Sequence, residues 1–141
     1  NMVRIGLFLY GYGLPQLKRA MTITSRVIKK IRANKGEFVG YGKTKLNKNT
    51  TIGLVPIGYA DGVPLKLSNI AKVTINNQKC KIIGRVCMDM LIVDITHKNI
   101  KLFDKVIVFS DANYFSKITK TLVYETLTNF SKIRAKDNIV Y

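Results

Sequence analysis

The chain has 141 residues, 47% hydrophobic and 23% charged, which is one domain with a real core rather than two domains or a disordered segment. Lysine and arginine number 24 against 8 aspartates and glutamates, a formal net charge of +16, so nucleic acid, an anionic membrane surface and an anionic cofactor all enter as candidate partners. Two cysteines are too few for a disulfide scaffold or a zinc cage, and a single histidine excludes His-rich metal chemistry; no apolar run reaches the roughly 20 residues that span a bilayer, and the apolar opening NMVRIGLFLYGYG is followed by no small-residue cleavage site, so a signal peptide is not expected.

In chain order, Arg4–Tyr10 (RIGLFLY) predicts a buried strand running into the glycine turn Gly11-Tyr12-Gly13. Met21–Ile31 (MTITSRVIKKI) alternates apolar and polar residues and predicts a half-buried strand. Thr51–Ile57 is a β-branched run closed by Pro56 and Gly58. Lys72–Ile75 and Lys79–Gly84 flank Asn76-Asn77, whose residues tolerate the left-handed backbone of a two-residue hairpin turn. Met90–Thr96 and Lys105–Ser110 predict two more strands. One helix is predicted late, over Ser116–Phe130, where Ile118, Leu122 and Leu127 recur near a 3.6-residue period with Ser116 as N-cap. The expected class is mostly β, a compact barrel or sandwich with one or two short helices. The lysines spread along the chain read first as a solvated face, although residues 1–36 hold no acid at all.

Three segments are more specific than a packed β domain requires: GYGKT (Gly40–Thr44), PIGYADG (Pro56–Gly62) and GRVCMD (Gly84–Asp89). With VRIGLFLYG (Val3–Gly11), MTITSRV (Met21–Val27) and VYE (Val123–Glu125) they follow one another in an order and spacing that resembles the C-terminal part of alanine racemase, a fold-type III pyridoxal phosphate enzyme. The resemblance implies that residues 1–13 are the terminal strand of an N-terminal (β/α)8 barrel and that 14–141 form the C-terminal β domain. It implies interconversion of L- and D-alanine by two-base proton transfer on a pyridoxal phosphate aldimine, an isomerase activity of the EC 5.1.1.1 kind. That activity would supply D-alanine as a cytoplasmic peptidoglycan precursor.

The roles that the resemblance carries over are these. Tyr41 is the catalytic base on one face of the substrate, and its flanking glycines let the ring project. A phenol normally ionises near pH ~10, so such a base needs nearby cations or hydrogen bonds. Arg4 donates to the cofactor's pyridine nitrogen and, with a guanidinium pKa above ~12, keeps its own proton. The main-chain N–H groups of Gly6 and Leu7 and the hydroxyl of Tyr124 hold the phosphate. Met88 contacts substrate beside Cys87 and Asp89, while Tyr59 and Arg85 line the substrate passage and Asp61 adds an acidic group there. No metal is implied.

The lysine that would carry the cofactor lies, in the family, in a V-K-A-x-A-Y-G-H-like segment of the barrel, and no lysine here has that context. The chain is therefore expected to need the barrel domain, and a second subunit of a homodimer, to act. Arg4, Gly6, Leu7 and Tyr124 would serve one pocket, and Tyr41 and Met88 the partner's. The closing IRAKDNIVY matches the family poorly. The alternative from another class is a small basic β-barrel that binds nucleic acid. Aromatics at 9% and the lack of a stacking pattern argue against it.

Overall fold

The computed structural model describes residues 2–130. Among these residues, nine strands form three sheets: β1 (Ile23–Arg26), β2 (Lys29–Ala33), β3 (Phe38–Val39), β4 (Thr44–Lys45), β5 (Thr50–Val55), β6 (Lys72–Ile75), β7 (Gln78–Lys81), β8 (Leu91–Asp94) and β9 (Lys105–Phe109). The orders are β1-β9-β6-β7, β2-β5-β8 and the hairpin β3-β4, with every pair antiparallel. Two helices follow, α1 (Ala112–Thr119) and α2 (Val123–Asn129). Among the described residues the chain is β-rich as expected, and its sheets do not close into a complete barrel.

The main core lies among the two larger sheets and the helices. Val27, Val55, Ile75, Leu91, Val93 and Val106 have essentially no exposure. Phe109 is packed at 5.2 Å, edge on, against Phe115 of α1 and at 4.9 Å against Phe130, an arrangement that favours aromatic pairs beyond the area they bury. A smaller cluster of Ala33, Val39, Leu46 and Ile52 sits under the β3–β4 hairpin, with Ile83 and Ile92 against it.

The strand expected at Thr51–Ile57 forms one residue earlier, at Thr50–Val55, and those at Met90–Thr96 and Lys105–Ser110 are present with trimmed ends. The turn at Asn76-Asn77 forms as expected, both asparagines taking positive φ, 47° and 60°, while the second strand is Gln78–Lys81, paired with Lys72–Ile75, in place of the expected Lys79–Gly84.

Three expectations need correction. Gly6–Tyr10 is a 3-10 helix, so the predicted strand over Arg4–Tyr10 does not form there. A short apolar run fits strand or helix equally, and no described strand offers this one a ladder. The single strand over Met21–Ile31 is two: β1 pairs with β9 and β2 with β5. The handover is at buried Val27, whose N–H donates to Asp104, while the next N–H, of Ile28, donates to Leu54. The alternation breaks at that point, with Val27-Ile28 and Lys29-Lys30 as like neighbours, and the change of strand partner falls where the period slips. The helix over Ser116–Phe130 is likewise two. α1 starts earlier, with Asp111 as N-cap accepting from Asn113 at 3.0 Å, and ends at Lys120 in left-handed conformation. Ser116 lies inside α1 and its hydroxyl donates to the carbonyl of Thr121, closing the break.

Candidate functional site

The singled-out residues gather into two groups. The first joins the chain's opening to α2. The Leu7 N–H donates to the Tyr124 hydroxyl at 3.2 Å. Gly6 has φ +58°, and a Cβ there would lie 2.5 Å from the same hydroxyl. A left-handed glycine, an adjoining main-chain N–H and a phenol thus meet at one spot, where a Cβ at Gly6 would strain the backbone and displace the tip of Tyr124. Tyr124 is half exposed at 50%, so its hydroxyl is reachable from solvent. Arg4 precedes this turn on an exposed segment.

The second group is built on β5, β8 and the β3–β4 hairpin. Tyr41 stands at the tip of that hairpin, 81% exposed. The turn Gly40–Lys43 is closed by the Lys43 N–H donating to Gly40 at 3.1 Å. Its glycines lie against Arg85: added Cβ atoms at Gly40 and Gly42 would sit 3.7 Å from the Arg85 main chain and 3.4 Å from its Cβ. The aromatic ring of Tyr41 therefore has little contact of its own and is carried by a turn seated on the GRVCMD segment.

That segment is held from two sides. The N–H groups of Tyr59 and Ala60 donate to the carbonyls of Cys87 and Met88, both at 2.9 Å. From the other side, the Gly84 N–H donates to the Asn69 side chain at 2.7 Å and the Val86 N–H to the Ser68 hydroxyl at 3.0 Å. Met88 (47% exposed) and Tyr59 (46%) both present side chains to solvent, as do Arg85 and Asp89. Cys87 is buried with its Sγ 3.6 Å from the Arg85 carbonyl, so the main chain is what it offers the site. Asp61 closes its own turn, accepting the Gly58 N–H at 2.8 Å. Beside Tyr59, a cavity of about 620 Å³ is lined by Ala60, Val63, Pro64, Thr128 and Asn129 and brings the end of α2 next to this segment.

Ser68 and Asn69 are the supports of the candidate site that sequence reasoning missed. They fall between predicted strands and carry no motif. Only the fold shows that their side chains satisfy main-chain groups of the loop bearing Arg85 and Met88. Among the described residues, no cluster of histidine, cysteine, aspartate and glutamate is suited to a metal ion, and no helix is long and apolar enough to cross a membrane.

Residues 20–138 match the family model described as alanine racemase, C-terminal domain. Among curated relatives, the chain is 35% identical over 149 residues to alanine racemase of Helicobacter pylori (strain J99), covering 94% of this chain and 40% of that protein. It is 40% identical over 145 residues to alanine racemase of Borreliella burgdorferi (strain ZS7), covering 94% and 39%. Among solved structures it resembles alanine racemase from E. faecalis, with a TM-score of 0.84 and 32% identity over 94% of this chain and 39% of that one. It also resembles the Bartonella henselae enzyme with covalently bound pyridoxal phosphate, with a TM-score of 0.82 and 31% identity over 89% and 38%. The chain spans about two fifths of the length of the curated relatives it matches.

Proposed function

The chain belongs to the alanine racemase family, as its C-terminal domain, and from that premise we propose that it supplies one of two bases for interconverting L- and D-alanine, in the cytoplasm, within an enzyme completed by a barrel domain and a second subunit. Residues 1–13 would close that barrel, and 14–141 form the domain that meets the partner. The observation that carries this reading is the placement of Tyr41: an exposed phenol on a two-stranded hairpin whose glycines rest on the loop of Arg85 and Met88.

The cofactor reading is supported by the fit of Gly6, Leu7 and Tyr124 to a phosphate. Beside the left-handed Gly6, the Leu7 N–H and the Tyr124 hydroxyl lie 3.2 Å apart and are bonded to each other, and both are groups that an anion arriving at the main chain would take in place of that bond. When bound, pyridoxal phosphate withdraws electrons from the substrate's α-carbon and so acidifies its proton. Gly6, Leu7 and Tyr124 would hold the phosphate. Arg4 would donate a hydrogen bond to the pyridine nitrogen without surrendering its proton, because a guanidinium stays charged. Tyr41 Oη would take the α-proton from one face, or return it there, and the lysine of the barrel would serve the other. Met88, through its main chain, and Cys87, Asp89, Tyr59 and Arg85 would shape the route by which alanine reaches that phenol.

The test is Tyr41→Phe in the enzyme assembled from this chain and a matching barrel domain, with racemisation followed from each enantiomer. The expected loss is direction-dependent in its primary isotope effect and at least about 100-fold, the scale of a lost general base. Unchanged rates in both directions would remove Tyr41 from the reaction. The nucleic-acid reading has a separate signature, affinity for random duplex DNA that falls steeply with salt.

A further inference from the structure

We propose that Tyr12 is a positioning residue for the anion turn at Gly6–Leu7, setting the affinity for the phosphate of the cofactor; the inference rests on the cofactor reading of Gly6, Leu7 and Tyr124. Sequence patterning placed Tyr12 in a glycine turn and gave it no task. In the structure it is 4% exposed, and its hydroxyl accepts the buried N–H of Ala112, the first residue of α1, at 2.7 Å. A first-turn N–H has no acceptor within its own helix, and the N-cap Asp111 spends its side chain on Asn113. The phenol thus supplies what α1 lacks.

The ring and main chain of Tyr12 reach the other way. The Arg19 guanidinium lies 3.9 Å over the ring, donates to the Gly11 carbonyl, and sits 3.7 Å from Asp111. The Tyr12 N–H donates to the Leu7 carbonyl at 3.1 Å and the Gly11 N–H to Phe8 at 3.0 Å. Leu7 in turn donates its N–H to Tyr124 on α2, and α2 is packed on α1. A circuit of contacts results, from Leu7 through Tyr12 and Ala112 to the helix pair that carries Tyr124; the Leu7–Tyr124 hydrogen bond closes it until a phosphate takes both groups, and the Tyr12 links remain.

The circuit matters because the turn it holds is otherwise anchored only lightly, by Leu7 packed on the main core and by the Ala20 N–H donating to Tyr10 at 3.2 Å. Gly6–Tyr10 is a five-residue 3-10 helix that buries none of its own residues, and segments with few buried contacts open at low free energy. Any freedom at Leu7 would blur the donor set for an anion, whereas a held turn binds without an ordering penalty. Burial raises the Tyr12 pKa, so the phenol remains a neutral hydrogen-bonding group at working pH.

The experiment compares pyridoxal phosphate with pyridoxal, which shares every group except the phosphate, by titrating the cofactor-free complete enzyme and following bound-cofactor absorbance. Tyr12→Phe is expected to weaken pyridoxal phosphate about five- to tenfold while changing pyridoxal by less than about twofold, the scale of one lost hydrogen bond. Tyr124→Phe, which removes a direct phosphate group, is expected to show the same selectivity. A Tyr12→Phe enzyme whose affinities fall equally for both ligands, or do not fall, while Tyr124→Phe remains selective, overturns the positioning role and leaves the cofactor reading intact. No selectivity in either variant overturns both. If Tyr12→Phe fails to fold, Arg19→Gln removes the stacked cation and the bond to Gly11 but leaves the phenol. Selective weakening then supports the circuit, and equal or no weakening overturns it.

Discussion

Gly58 shows how much of this site depends on a missing atom. Its backbone is extended, so no left-handed conformation requires glycine there. What requires it is space, since a Cβ would run into the carbonyls of both Cys87 and Met88. Those carbonyls accept from Tyr59 and Ala60, so the two loops lie with their main chains in direct contact. Gly58→Ala is expected to push the Met88 loop away and raise the KM for alanine in the complete enzyme by about tenfold or more, with a smaller effect on kcat, as misplacement of a contact loop should. A KM unchanged from the parent would show that the loop's position is not critical. Asp94 governs a different property. Burial opposes its charge, but the N–H of Thr96 at 2.9 Å, the Thr96 hydroxyl and Lys48 at 3.6 Å outweigh that and hold the carboxyl below its ordinary value. A carboxylate depressed in the folded state stabilises above its unfolded value of ~3.9, and that stability disappears as pH falls through the folded value. The melting temperature is therefore expected to fall more steeply below pH ~4 for the parent than for Asp94→Asn. Parallel curves would contradict the assignment.

At the scale of elements, the candidate site is a set of loops fixed by their neighbours. The β3–β4 hairpin has only two paired residues on each strand, too few for stability alone. It is held by Val39 and Leu46 in the smaller core and by its seat on Arg85. The Gly84–Met88 loop depends likewise on Ser68 and Asn69. Ser68→Ala leaves the Val86 N–H without its hydroxyl acceptor, a loss of about 1–3 kcal/mol for a buried donor. The expected reading is a lower urea midpoint together with a raised KM for alanine, and Ser68→Thr, which keeps the hydroxyl, should recover part of both. Loss of stability with an unaltered KM would limit Ser68 to folding.

For the molecule as a whole, the proposed division of labour is that Gly6, Leu7 and Tyr124 serve one pocket and Tyr41 the partner's. Complementation tests it. A Tyr41→Phe subunit paired with a Gly6→Val subunit has one pocket carrying both lesions and one carrying neither. Co-expression is expected to restore up to about half of the parent's activity per mixed dimer, although each variant alone is nearly inactive. If both residues serve the same subunit's pocket, every pocket in the mixed dimer carries one lesion and nothing is restored. The net charge of +16 has no comparable focus. Among the described residues the cations lie on exposed positions of several elements, and Lys30 and Lys66 donate to the carbonyls of Ile100 and Thr119 at 2.6 and 2.9 Å, the behaviour of a solvated, locally useful surface.

The amino-acid order by itself determined the β-rich class, the hairpin at Asn76-Asn77 and the motifs that identify the family, because each is a local matter: alternation of side chains, tolerance of positive φ, and rare residue types at set spacing. Tertiary structure decided the rest. Val27 parts one predicted strand into two sheets because its neighbours in space change there. Lys120 parts one helical run into two without a glycine or proline to announce it. An apolar run at Gly6–Tyr10 coils because no described strand lies beside it. Ser68, Asn69 and Tyr12 acquired their tasks only when main-chain groups from distant segments were brought to them. A hydrogen bond joining residues 100 apart in the chain, as Tyr12 to Ala112 are, leaves no periodic trace in the sequence on either side.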